Sequence, residues 1–311
     1  MRMPPSSMGT DRIVGEYAEK ACSAPTYVGA LQAFSAYSPT ILSVPMDEGG
    51  MRIGELATLL RHLGPRGAKF IYTIPNFQNP AGVTMPPERR RRLIELSREY
   101  EIPLVEDDPY GRLRFEGGHV KPLRALDDEV IYLGTMSKIF APGLRLGWMA
   151  APRPILAKVL LAKQAADLCG SNFAQSVAEH YFTGTRWRKV LRGLIDAYAE
   201  RRDAMLEALE EHFPQEAEWT RPEGGFFVWV TLPSFVDTVT LLPEAVERGV
   251  TFVPGEAFYA DGRGRNCMRL AFCYARPVEI REGIRRLAEV LEDRLELYRA
   301  FAVAGALPGR G

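Results

Sequence analysis

Thr135-Met136-Ser137-Lys138, followed by Pro142-Gly143-Leu144-Arg145 and Gly147, gathers a lysine, two hydroxyls and an arginine into one short segment. The apolar run Val130-Ile131-Tyr132-Leu133-Gly134 before it reads as a buried strand, and Leu146 to Ala151 after it reads as another. A lysine held between two apolar strands loses hydration. That disfavours its ammonium form, lowers its pKa and makes the amine a nucleophile toward a carbonyl. Thr135, Ser137 and Arg145 beside it suit a phosphate, the arginine through a bidentate fork. The competing reading is a surface turn with an unrelated Lys and Arg, and the rest of the sequence decides between them.

Working outward, Phe70-Ile71-Tyr72-Thr73-Ile74-Pro75 is a β-rich run ending in Asn76-Phe77-Gln78-Asn79-Pro80-Ala81-Gly82. Ile102-Pro103-Leu104-Val105-Glu106 is another short apolar strand, ending in Asp107-Asp108-Pro109-Tyr110. Successive strands thus carry polar residues at their C-terminal ends, the edge at which open α/β sheets gather ligand groups. Strands and helices alternate along the chain, which predicts an α/β fold with a mostly parallel central sheet and helices on both faces. A carbonyl-reactive lysine beside a phosphate site suggests pyridoxal phosphate as cofactor.

The remaining pattern divides the chain. Thr84-Met-Pro-Pro-Glu88 opens a helix with a hydroxyl N-cap candidate, and Leu93, Leu96 and Tyr100 supply its buried stripe. The basic run Arg89 to Arg92 reads as its solvated face. Arg153 to Ala166 reads as a helix, and the longest helical stretch runs from about Trp187 to His212, with Val190, Leu194, Ala197, Met205 and Leu209 as core contacts. Beyond it, Gly224 to Val230, Val250 to Val253 and Met268 to Ala271 read as strands, and Val236 to Gly249 and Pro277 to Leu297 as helices. These make a smaller C-terminal α+β domain. The expected division is a large domain over 1–196, a small one over 197–302 and a Gly-, Pro- and Ala-rich tail over 303–311.

Composition bounds the function. The 311 residues are 46% hydrophobic, and acidic and basic side chains balance at 39 each, which gives no indication of a nucleic-acid or anionic-membrane partner. The four cysteines and four histidines show no pairing or metal-ligand spacing, so no metal site is expected and a cytoplasmic setting is. No apolar run is long enough to cross a bilayer.

Five motifs occur in order: Ala24-Pro-Thr-Tyr-Val-Gly-Ala30, Gln78-Asn-Pro-Ala-Gly82, Glu106-Asp-Asp-Pro-Tyr110, Ser137-Lys138 with Pro142-Gly-Leu-Arg145, and Arg221-Pro-Glu-Gly-Gly-Phe-Phe-Val-Trp229. The chain thereby resembles the class I/II aminotransferases, fold-type I pyridoxal-phosphate enzymes. Within them it is most similar to the 2-aminoadipate, kynurenine and aromatic aminotransferase branch. The resemblance implies a homodimer acting on an amino acid and a 2-oxo acid, with 2-oxoglutarate and glutamate as one pair. It assigns Lys138 to the cofactor aldimine and to proton transfer. Asp107, with Asp108 as second choice, takes the pyridine nitrogen. Asn79 and Tyr110 bind the phenolic oxygen, Asn79 also facing substrate. Tyr27 stacks on the ring, and Thr135, Ser137 and Arg145 hold the phosphate.

Arg269 stands on the otherwise apolar Asn266-Cys-Met-Arg-Leu-Ala-Phe272, where an unpaired guanidinium is costly to bury. The resemblance gives it the substrate α-carboxylate; a structural salt bridge is the competing reading. Gly255, Phe258 and Asn172 are lesser candidates near the substrate. Taken singly, Asp107 also reads as a helix cap, Asn79 as a turn residue, and Tyr27 or Tyr110 as core aromatics.

The departure from the resembled pattern is at the start. The Tyr27 motif arrives by residue 24, with no preceding Gly-Ser-Gln-type phosphate loop at a helix N-terminus. Asp11 to Val14 resembles the strand leading into the motif, whereas Gly15 to Ser23 fits poorly. The expectation is an N-terminally truncated chain with impaired cofactor binding and low activity. The alternatives are a scaffold without catalysis, an amine-sensing domain, or a lyase, synthase or decarboxylase using the same lysine.

Overall fold

The computed structural model describes residues 19–184 and 186–303. Strands form where short runs of apolar and β-branched residues are cut off by Pro, Gly or charge. Seven of them build the main sheet: β1 (Lys20–Ala24), β2 (Ile41–Asp47), β3 (Gly50–Met51), β4 (Phe70–Thr73), β5 (Leu104–Asp107), β6 (Ile131–Thr135) and β7 (Gly147–Ala150), in the order β3-β2-β1-β4-β5-β6-β7. The β2–β1–β4–β5–β6 ladder is parallel, while β3 and β7 are antiparallel edges. Helices α1 (Val28–Ser35), α2 (Ile53–Leu63) and α3 (Pro87–Glu99) lie among the strands along the chain. The apolar stripe of α3, Leu93 and Leu96, joins Leu56 and Leu60 of α2 and Ile71 and Leu104 of the sheet in one core. Each such side chain, taken from water, contributes about 1.5–3 kcal/mol.

Several details depart from expectation. Lys20 to Ser23, the end of the poorly fitting stretch, form β1 together with Ala24, and all five residues are buried inside the sheet. Its Lys20 is only 8% exposed and keeps its ammonium about 5.1 Å from the Phe34 ring centroid and 5.4 Å from that of Phe70, an aromatic cradle in place of a carboxylate. Thr84 does not cap α3. The helix starts at Pro87, and the Thr84 hydroxyl instead accepts a 3.3 Å hydrogen bond from the Phe77 amide.

The basic run is not a solvated face either. Arg89 pairs with Asp47, and Arg90 is fully buried; Arg91 and Arg92 alone fit that reading. Finally, the segment Leu146 to Ala151 does not make a buried strand. β7 is a sheet edge with no further neighbour among the described residues, and Trp148 is 45% exposed. The following helix α4 (Arg153–Asp167) buries none of its residues, so Leu160 and Leu161 face outward with Phe173 of α5 (Asn172–Gly184).

The long helix α6 (Trp187–His212) leads into a second core. Its first half buries no side chain fully, and Val190 is 51% exposed rather than a core contact; Met205 and Leu209 in the second half are buried. They pack with β9 (Phe227–Thr231) and β11 (Cys267–Ala271), which sit between β10 (Val253–Pro254) and β8 (Glu218–Trp219) in an antiparallel sheet. Helix α7 (Thr238–Glu247) and helix α8 (Pro277–Val303) cover this sheet, α7 being capped by the Asp237 carboxylate. Residues 304–311 and the Asp11 to Val14 segment lie outside the described residues. Among the described residues no helix is long and apolar enough to cross a membrane.

The two sheets meet closely. Gly82 has φ 72° and its missing Cβ would stand 2.6 Å from the Phe227 carbonyl oxygen, so only glycine lets the β4 loop approach β9. That contact brings Arg269 of β11 over the C-terminal ends of β4, β5 and β6.

Candidate active site

Because β4, β5 and β6 are adjacent and parallel, the residues that follow their C-terminal ends converge. Asn79, Asp107 and Lys138 line one cavity of about 410 Å³, with Tyr27, Tyr110, Thr135, Ser137, Arg145 and Arg269. A larger cleft of about 790 Å³ lies beside Gly82, Trp219 and Trp229, but it contains none of these groups. The side chains singled out from the sequence therefore gather in the smaller cavity.

Lys138 is half-buried, in a turn after β6, and its Nζ stands 5.9 Å from the Phe226 ring centroid. It is not sealed between two buried strands as expected, since β7 is exposed. Thr135 Oγ1 is 3.0 Å from Ser137 Oγ and accepts from the Ser137 amide at 3.1 Å, which folds both hydroxyls to one side of the turn. Arg145 adopts the left-handed conformation (φ 54°) and donates to the Pro142 carbonyl at 3.2 Å. It pairs with no carboxylate among the described residues, so its charge is available to an anion.

Alternation along β5 separates three consecutive carboxylates. Glu106 is fully buried and accepts from the Leu123 and Arg124 amides at 2.8 and 2.9 Å, while burial pushes its carboxyl up to about 7. Asp108 accepts from Asn76 Nδ2 at 2.9 Å, from the Gly111 amide at 3.0 Å and from Tyr132 at 3.1 Å, and does not line the lysine cavity. Asp107 does line it. Burial pushes Asp107 up to about 6; the Tyr72 hydroxyl, 2.6 Å away, pulls it down and Asp108 pushes it up.

On the facing side, Arg269 is anchored by aromatic rings rather than by acid. Its guanidinium carbon lies 4.1 Å from the Phe227 centroid and 5.0 Å from that of Phe258. Nη1 donates to Asn79 Oδ1 at 2.9 Å, and Nε is buried without a hydrogen-bond partner among the described residues. Burial lowers its pKa, and no salt bridge forms among the described residues. A half-buried guanidinium with a buried orphan donor and no counter-ion among the described residues suits an anionic group. Asn79 also hydrogen-bonds the Tyr110 hydroxyl; burial raises the phenol's pKa, and Arg269 opposes this. Tyr27, at the head of α1, keeps 41% of its surface exposed and its ring on the cavity wall.

Of the lesser candidates, Phe258 acts through Arg269 and Gly255 is buried beside it, whereas Asn172 is exposed and away from the cavity. Sequence reasoning passed over Tyr72, Asn76 and Arg90. Arg90 donates to the carbonyls of Met85 (2.8 Å), Lys121 (3.0 Å) and Pro75 (2.9 Å) and to Asn76 Oδ1 (2.6 Å), tying α3 to the loop that carries Asn79. Its place in a four-arginine run gave no sign of this.

The donor set fits pyridoxal phosphate: an amine for an aldehyde, two hydroxyls and a free arginine for a phosphate, and a carboxylate for a ring nitrogen. A phenol and an amide suit its phenolic oxygen. The family model for aminotransferase class I and II matches residues 21–287, and the chain belongs to that family. Among curated relatives it is 50% identical over 277 residues to aromatic-amino-acid aminotransferase 1 of Thermococcus litoralis, covering 88% of this chain and 66% of that protein. It is 39% identical to the 2-aminoadipate transaminase of Thermus thermophilus, over 88% of this chain and 69% of the other. The Pyrococcus horikoshii kynurenine aminotransferase, solved in complex with PMP, superposes with a TM-score of 0.87 at 48% identity, covering 90% of this chain and 70% of that one. The chain thus spans about two thirds of the length of the relatives it matches.

Proposed function

We propose that the chain is a pyridoxal-phosphate-dependent aminotransferase that moves an amino group between an L-amino acid and a 2-oxo acid, glutamate and 2-oxoglutarate forming one pair. The observation that carries the reading is Arg269, a half-buried guanidinium that lines the Lys138 cavity and has, among the described residues, a buried Nε without a hydrogen-bond partner and no paired acid. Family membership supports the reaction type. The cofactor, when bound, supplies an aldehyde and an electron-withdrawing ring that acidifies the substrate Cα–H.

This chain's residues do the rest. Lys138 would hold the cofactor through its aldehyde and, as a free amine, would take and return a proton at Nζ. Asp107, as carboxylate, keeps the ring nitrogen protonated. Asn79 and Tyr110 donate to the phenolic oxygen, Tyr27 lies against the ring, and Arg145, Thr135 and Ser137 bind phosphate. Arg269 orients substrate through its α-carboxylate as a bidentate pair. A homodimer and a cytoplasmic setting belong to the same proposal.

Adding excess glutamate to the pyridoxal-phosphate-loaded chain tests it. Conversion of the bound cofactor to its amine form, with one 2-oxoglutarate released per site, is the expected result. A cofactor band that forms yet is unchanged by glutamate, aromatic amino acids and 2-aminoadipate would overturn the transferase reading and favour amine sensing or another lysine-dependent reaction.

A further inference from the structure

We infer that Tyr72 is a positioning residue of the proposed reaction: its hydroxyl orients the Asp107 carboxylate toward the cavity and holds it as the anion. The inference rests on the reading that Asp107 faces the pyridine nitrogen of the cofactor.

The geometry is direct. β4 and β5 run side by side in parallel, with Tyr72 opposite Val105. The Tyr72 side chain reaches the end of the neighbouring strand and donates to Asp107 Oδ2 at 2.6 Å. Among the described residues this is the single hydrogen bond made by that carboxylate, and Oδ1 is left for a ligand. Tyr72 is itself 3% exposed and forms no part of the cavity wall. Its ring is fixed edge-on against Phe34, with centroids 5.4 Å apart at 82°. A hydroxyl so confined cannot follow solvent, so it fixes the torsion of the group it binds.

The electrostatics require such a donor. Asp107 is largely removed from water, and Asp108 beside it adds a like charge; both favour the protonated acid. A protonated Asp107 has no charge with which to hold a proton on a ring nitrogen. Of the groups around it, Tyr27 and Tyr110 are phenols, while Lys138, Arg145 and Arg269 line the same cavity from the β6 turn and β11. None of these hydrogen-bonds the carboxylate. Among the described residues Tyr72 alone stabilises the anion by a hydrogen bond, and it does so without any cofactor. That makes it part of the site's preorganisation.

The test is made on the chain without cofactor, with aspartate labelled at 13Cγ and the Asp107 signal assigned by Asp107→Asn. The native chain should show Asp107 titrating near 6, and Tyr72→Phe should move that midpoint up by about one unit or more, a tenfold change in proton affinity. Affinity for pyridoxal phosphate at pH 7 should fall by a similar factor in Tyr72→Phe. p-Fluorophenylalanine at position 72 keeps the ring shape without the donor and should behave as phenylalanine does. p-Aminophenylalanine restores an N–H and should bring the midpoint back. This series decides the matter even where Tyr72→Phe fails to fold.

A role in packing alone predicts an unmoved Asp107 midpoint in the fluoro variant, and that result would overturn the inference. If the native chain binds no pyridoxal phosphate, the proposed function fails while the Asp107 midpoint still reports whether Tyr72 controls it.

Discussion

Replacing Arg90 by methionine removes the donor from four oxygens at once: the carbonyls of Met85, Lys121 and Pro75 and Oδ1 of Asn76. Hydrogen bonds from a charged donor contribute about 1.5–3 kcal/mol each, and a buried acceptor left unpaired costs about 1–3 kcal/mol. Against this stands the desolvation of a guanidinium that touches no carboxylate, which burial lowers to a pKa of about 10. Removing the cation recovers part of that penalty, so the gross loss is not the net one. The net is about 3–5 kcal/mol, the range for breaking a buried charged cluster from one side. At about 2–4 °C per kcal/mol, the melting temperature should drop by about 6–20 °C. Circular dichroism melts of Arg90→Met and Arg91→Met make the comparison internal, because Arg91 is the exposed next residue of the same run. Arg91→Met should stay within about 0.5 kcal/mol of the parent chain. Equal melting temperatures for the two variants would refute the account of Arg90 as a buried tie.

Arg269→Met should raise KM for the amino acid by about tenfold or more while leaving cofactor affinity within a few-fold, as steady-state kinetics beside absorbance titration would show. Glu106 binds its proton more tightly folded than unfolded, so its contribution lowers stability as pH rises from about 4.5 to about 7. Glu106→Gln should flatten the stability profile across that window, by on the order of 3 kcal/mol between its ends, in melts taken from pH 4.5 to 8. Leu161, 62% exposed on α4, contributes little to the fold. Leu161→Glu should change the melting temperature by less than about 2 °C yet reduce binding of a hydrophobic dye. Gly82→Ala, at φ 72° with Phe227 in the way, should cost about 1–3 kcal/mol and weaken cofactor binding through the displaced Asn79 loop.

The parts of the site that could be read from sequence are those whose evidence is local. Lys138 with its hydroxyls and Arg145 occupies one turn, and Asp107 and Asn79 each follow a strand recognisable by composition. Arg269 stood out as a cation on an apolar strand. What could not be read depends on what the chain packs against. Tyr72 sits in a strand buried on both faces, where alternation vanishes and a phenol looks like any core aromatic. Arg90 differs from Arg91 only in the side of α3 it occupies. β1 was obscured by a lysine, a cysteine and a serine that read as polar, although Lys20 is satisfied by aromatic faces. The exposure of β7 follows from its place at the sheet edge, and its apolar composition predicted the opposite.

The central claim is that Lys138 carries the cofactor in this cavity. The most direct measurement is borohydride reduction of the chain incubated with pyridoxal phosphate, followed by peptide mass mapping. A reduced phosphopyridoxyl adduct on the peptide containing Lys138, lost on prior treatment with excess glutamate and absent in Lys138→Ala, is the result predicted. An adduct spread over other lysines, or none at Lys138, would contradict it.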